Sequence, residues 1–165
     1  MAQYPSRRRT VRSRAGAMSE FLDRVLLPVA NPDDAEATSA ALLEHLADDV
    51  GTVVAINVIE KGGGAIDKAP LERMQELAEE SFERVVTRCE AAGVSVETEI
   101  HYGTDVVETI FEAAAEEGVS AIAFTPRETG RWMRLLTGNA TYALVTETQI
   151  PVLVLPGTTN ETTTG

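Results

Sequence analysis

TVVAINVI, from Thr52 to Ile59, is a nearly unbroken run of apolar, largely β-branched residues. A strand with one face in water alternates apolar and polar side chains. A short run without alternation instead predicts a strand covered by helices on both faces, inside a parallel sheet. The sequence on either side supports that reading. Upstream, Val25 to Val29 is a second apolar run. Asn31 follows it as a helix cap, with Pro32 at the first helical position and Asp33 and Asp34 in the first turn, where exposed amides favour acids. This first helix is predicted to reach about Asp49, with Ala40, Leu43, Leu46 and Ala47 on its apolar stripe.

Downstream, the loop KGGGAIDKAP (Lys61 to Pro70) is rich in glycine but lacks the Gly-Lys-Ser/Thr of a phosphate loop, so it is read as a connection. A second helix is predicted from Leu71 to about Ala92, with Leu71, Met74, Leu77, Ala78, Ser81, Val85 and Cys89 near one face and Gly93 as its stop. Val94 to His101 alternates, which predicts a strand near the sheet edge. A third helix is predicted to start at Gly103 and Thr104 and end at Gly118, carrying Val107, Ile110, Phe111 and Ala114 inward. Ala121 to Phe124 and Pro151 to Leu155 complete five strands, and a helix over about Asn139 to Glu147 completes four helices. Alternation of this kind predicts an α/β fold with an open, mainly parallel sheet.

Composition bounds what such a domain does. There are 26 carboxylates against 14 cations, and only Lys61 and Lys68 are lysines. That surface disfavours nucleic acid, and it predicts a fold that stays soluble and compact where molar salt screens its self-repulsion. The apolar runs are strand-sized, short of the roughly 20 residues a membrane helix needs, so a cytoplasmic domain without membrane insertion is expected. The lone Cys89 has no disulfide partner and no metal-ligand neighbours in sequence, and is expected to fill core. Residues 1–17 hold five arginines and no carboxylate. They read as a basic, disordered extension, with Met18 as an alternative start. A basic arm touching nucleic acid or the chain's own acidic surface is the competing reading. One domain is expected over residues 18–157, followed by a polar, disordered tail over 158–165.

In an open parallel sheet, ligands sit beyond the carboxyl ends of the strands, where helix N-termini present free amides. The candidates there are Ala30 and Asn31, Ile59 and Glu60, and the segment TPRETGRWMRLLTGNAT from Thr125 to Thr141. Three of the nine cations after Met18, namely Arg127, Arg131 and Arg134, fall within eight residues of that segment. The helix predicted from Asn139 has no carboxylate in its first turn. Gly138 would admit close backbone approach, and Asn139 and Thr141 would donate to phosphate oxygens. The candidate anion or nucleotide site is therefore Asn31, Thr125, Arg127, Gly138, Asn139 and Thr141. Equally consistent with these residues is an Asn139 that only caps its helix and arginines that pair with surrounding acids.

With that order of elements, the segments VLLPVANPDDAEAT, HYGTDVVETIFEAAAEEGVSAIAFTPR and LLTGNATYALVTETQIPVLVLP make the chain resemble the universal stress protein family from about Leu22 to Pro156. The resemblance implies strand order 3-2-1-4-5 with helices on both faces, the adenine nucleotide alpha hydrolase-like arrangement. It also implies a homodimer that pairs the last strand, Pro151 to Leu155. Family members that bind ATP carry an aspartate at the end of the first strand, then Gly-x-x-Gly, nine residues and Gly-Ser/Thr after the fourth. Here Ala30 stands at the aspartate position. Thr125 and Glu128 stand at the two leading glycines, and Gly138 and Asn139 at the closing pair. Glu128 brings negative charge where a triphosphate would lie.

The expected function is a non-enzymatic stress-response or regulatory module that recognises a protein or a small ligand. The alternative is a switch that binds ATP with Mg, or another adenine nucleotide, at the loop after the fourth strand. An enzyme is disfavoured, since His45 and His101 share no sequence context and no nucleophile elbow or metal cluster is evident in the sequence.

Overall fold

The structure, a computed structural model, describes residues 20–62, 68–125 and 149–156. Five strands form one sheet: β1 (Arg24–Pro28), β2 (Thr52–Glu60), β3 (Ser95–Gly103), β4 (Ala121–Phe124) and β5 (Val152–Val154). Their order is β3-β2-β1-β4-β5, and every pairing is parallel. The order and direction are those expected. The run from Thr52 lies between β1 and β3, with Arg24 opposite Thr52 on one side and Ser95 opposite Thr52 on the other. The alternating strand β3 is the edge, as its half-polar pattern predicts. The last strand is shorter than expected, but its ladder extends at both ends: the Ile122 amide donates to the Pro151 carbonyl at 2.9 Å, and the Leu155 amide to the Phe124 carbonyl at 2.8 Å.

Three helices are described: α1 (Pro32–Leu46), α2 (Lys68–Ala91) and α3 (Val106–Glu116). The helix expected over Asn139 to Glu147 lies outside the described residues. Successive strand residues point to opposite faces, so the sheet divides the core in two. Val25, Leu27, Val53 and Ala55 pack under α1 and α2 with Ala35, Leu42, Phe82, Val85 and Cys89. Leu26, Val54, Ile56 and Ile122 pack under α3 with Ile110, Phe111 and Ala114. Each fully buried Leu or Ile in these clusters contributes about 1.5–3 kcal/mol. Among the described residues, no helix is long and apolar enough to cross a membrane.

The structure corrects three details. In α1 the inward residues are Asp34, Ala35, Thr38, Ser39, Ala41 and Leu42, whereas Ala40, Leu43, Leu46 and Ala47 are only half-buried. The stripe is rotated because polar side chains share it. Each finds a local partner: Ser39 Oγ donates to the Ala35 carbonyl at 2.6 Å, and the Asp34 carboxylate accepts from Thr38 Oγ1. In α2, Met74 is 37 % exposed while Phe82, off the expected face, is buried. Helix α3 starts later than Gly103 because Gly103 still pairs with Glu60 in the sheet. Asp105 is its cap instead, with Oδ1 accepting the Glu108 amide at 3.0 Å.

Candidate functional site at the carboxyl ends of the strands

The chain leaves β1 through Val29 and Ala30 and enters α1 at Asn31, whose φ of −159° is extended. Asn31 Oδ1 accepts the Asp34 amide at 2.8 Å, and Asp34 Oδ2 accepts the Ala30 amide at 2.8 Å. The two side chains thus cap α1 and close the turn that precedes it. Asp34 is almost wholly buried, and its Oδ1 accepts from Thr38 Oγ1 at 3.3 Å, one helical turn on. Thr38 Oγ1 in turn lies 2.8 Å from Thr125 Oγ1, at the end of β4. From the other side, Asn57 Nδ2 donates to the Val29 carbonyl at 2.8 Å, which ties β2 to the exit of β1.

These bonds place two sequence-predicted site residues, Asn31 and Thr125, at the ends of one polar chain. Asn31 is exposed and Thr125 is buried. Arg127, Gly138, Asn139 and Thr141 lie outside the described residues. The connecting members, Asp34 and Thr38, were not among the predicted site residues, nor was Asn57. The available signal was polar residues on inward-facing positions: Thr38 one turn after Asp34, and Asn57 as the only amide in an apolar strand. A buried polar side chain needs partners, so such positions point to a network.

The rim next to this crest is partly closed by β2 and β3. The Lys61 amide donates to the Gly103 carbonyl at 2.8 Å, Lys61 Nζ stands 5.4 Å from the Tyr102 ring centroid, and Gln75 Nε2 donates to the Tyr102 hydroxyl at 2.9 Å. The histidines occupy separate parts of the molecule, His45 on the outer end of α1 and His101 on β3. Burial pushes the Cys89 thiol up to about 11, so it is a core residue rather than a reactive thiolate.

The comparisons with known proteins agree with this frame. A model of the universal stress protein family matches residues 22–156. The chain belongs to the universal stress protein family. The matched span coincides with the one that the sequence segments mark. Among solved structures, a universal stress protein family member from Burkholderia pseudomallei is 21 % identical with a TM-score of 0.62, covering 82 % of this chain and 97 % of its own. A family protein from Arabidopsis thaliana with AMP bound is 16 % identical with a TM-score of 0.59, covering 86 % and 96 %. The universal stress protein from Archaeoglobus fulgidus in complex with dAMP is 16 % identical with a TM-score of 0.55, covering 81 % and 97 %. No curated protein matches the sequence significantly. As a universal stress protein, the chain shares the family's sheet order, and its strand ends form the crest described above.

Proposed function

We propose that this universal stress protein is a non-enzymatic regulatory module that works in the cytoplasm by binding a small ligand or a protein at the crest of its sheet. The observation that carries this reading is the way the crest's polar side chains are committed to one another. Asn31 and Asp34 hold backbone amides, and Thr38 joins Asp34 to Thr125. Groups tied down in this way position a loop; they are poorly placed to take a proton or attack a substrate. Incubating the folded protein with Mg-ATP tests it. The expected result is no nucleotide turnover above the protein-free rate, and turnover lost in Thr125→Val would overturn the reading.

A second reading, that the ligand is an adenine nucleotide, is favoured by the relatives solved with AMP and with dAMP. Ala30 removes a carboxylate that would accept from the ribose or adenine of any adenine nucleotide, whereas the charge of Glu128 weighs against a triphosphate and less against a monophosphate, which carries less charge. The supporting residues would be Asn31, Thr125, Arg127, Gly138, Asn139 and Thr141, and Mg would accompany ATP only. Thermal melting with AMP, cAMP or Mg-ATP distinguishes these ligands. Bound ligand at a hundredfold excess over its dissociation constant stabilises by about 2.7 kcal/mol. A rise with AMP that Gly138→Asp abolishes would support the nucleotide reading, and no rise with any nucleotide would leave a protein partner.

The proposed partner of the sheet edge is a second copy of this chain. Strand β5 ends the sheet, Val154 is 49 % exposed, and an apolar cavity of about 450 Å³ opens beside it, lined by Phe21, Leu46, Leu153 and Leu155 among others. An exposed apolar edge of this kind favours pairing. Light scattering is expected to give a dimer for the native protein and a monomer for Val154→Lys. A native monomer would rule the dimer out.

A further inference from the structure

The α3 face of β3 carries a polar row where its neighbours carry core. Glu97 lies opposite Val54, Glu99 opposite Ile56 and His101 opposite Val58. Glu117, just beyond the end of α3, reaches the same row. One ligand atom each from Glu99, His101 and Glu117 lies within 4.8 Å of the others. Of these three side chains, His101 has its Nε2 out of contact with solvent and without a hydrogen-bond partner among the described residues. Glu99 Oε2 stands 3.8 Å away, beyond hydrogen-bond reach. A buried imidazole nitrogen facing two carboxylates without a bond is costly unless something else satisfies it.

The surrounding charges sharpen the point. Arg24 takes Glu97 with two bonds of 2.9 Å, reaches Glu117 Oε2 at 3.2 Å, and donates from Nε to the Glu117 carbonyl at 2.9 Å. This single guanidinium serves two carboxylates and fixes the position of Glu117. Glu99 is left beside Glu117, like charge against like charge, and no described cation bonds to it.

We propose that Glu99, His101 and Glu117 bind a divalent cation of the zinc class and so clamp the edge strand β3 to the end of α3. An imidazole with two carboxylates is a donor set for zinc and its first-row neighbours, whereas magnesium and calcium prefer oxygen alone. Bonds of about 2.0–2.2 Å put ligand atoms roughly 3.3–3.5 Å apart. The cluster therefore closes by up to about 1.4 Å on binding, and the exposed side chain of Glu99 is free to make that movement. Three protein ligands leave a fourth position for water. Arg24 holds Glu117 in the outer shell, which orients it toward the ion.

The test uses the full chain in molar salt, stripped with EDTA, dialysed and titrated calorimetrically with Zn²⁺. One Zn²⁺ per chain is expected, with a rise in melting temperature that Mg²⁺ does not produce. Co²⁺ in its place is expected to give the visible bands of a low-coordinate site. Glu99→Gln, at an exposed side chain, and His101→Gln are each expected to weaken Zn²⁺ binding at least about tenfold. His45→Gln, on the outer end of α1, is expected to leave binding unchanged. Absence of Zn²⁺ binding by the folded protein would overturn the proposal. So would binding that survives both Glu99→Gln and His101→Gln, which would place the ion elsewhere.

Discussion

The hydroxyl pair Thr38–Thr125 shows how much one side chain decides at the crest. Both residues are buried, and their oxygens are 2.8 Å apart, joining α1 to the end of β4. Thr38→Val keeps the shape but removes the hydroxyl that faces both Asp34 and Thr125. Stranding a buried polar group costs about 1–3 kcal/mol, so a destabilisation of that order is expected in denaturant melts. The double variant Thr38→Val with Thr125→Val is expected to recover part of it, because the two sites are coupled. Additive losses would show that the pair does not act as a unit. Of these residues, only Thr125 was legible as part of a site, through its place at a strand end. Thr38 was not, because a hydroxyl on the inner face of a helix interrupts the apolar pattern that marks that face.

At the scale of elements, the junction of β3 with α3 depends on the absence of a side chain. A Cβ placed on Gly103 would lie 2.0 Å from Thr109 Oγ1, and that hydroxyl is held by the Asp105 carbonyl at 2.7 Å. Gly103→Ala is therefore expected to destabilise by about 1–3 kcal/mol, the usual cost of overpacking, and pairing it with Thr109→Ala is expected to restore much of the loss. Thermal melts of the two variants check both outcomes.

Helices α1 and α2 are joined on their outer sides by Glu36, which pairs with Arg88 and, at 3.6 Å, with Arg84. The hydrogen bond from Arg88 holds the Glu36 carboxyl below its ordinary value. A lowered folded value stabilises above the unfolded pKa and is lost as pH falls through the folded one. The native protein is thus expected to exceed Glu36→Gln in stability near neutral pH, by no more than about 1 kcal/mol because the pair is half in water. The difference is expected to vanish in acid. Equal melting temperatures at neutral pH would show that this pair contributes nothing. The same mechanism does not extend to Glu99, whose carboxyl is raised rather than lowered, chiefly by the neighbouring Glu117 carboxyl.

For the whole molecule, charge is the governing quantity. The chain carries a net charge of −12, and residues 18–165 alone carry nine cations against 26 carboxylates. Self-repulsion of that size opposes the compact state, and salt weakens it as the Debye length shrinks to about 3 Å at 1 M. The melting temperature is expected to climb with potassium chloride, with loss of the compact fold below about 0.5 M. Salt-independent melting would contradict the expectation.

The sequence by itself determined the class of fold, the strand order through the family resemblance, and the covered middle strand at Thr52 to Ile59. The fold class and the covered strand follow from periodicity and turn chemistry, which are local and additive along the chain; the strand order came from the resemblance alone. It also located the crest, because strand ends and helix starts are local features. Only the tertiary structure decided which inward positions of α1 are polar and what they bond. Only it brought Glu99 and His101 of β3 to Glu117 beyond α3. Those contacts join residues far apart in sequence, and their geometry depends on the stagger of strands and the rotation of helices, which no local pattern records. Buried polar groups are visible in the sequence only as exceptions to an apolar pattern; their partners appear when the chain closes around them.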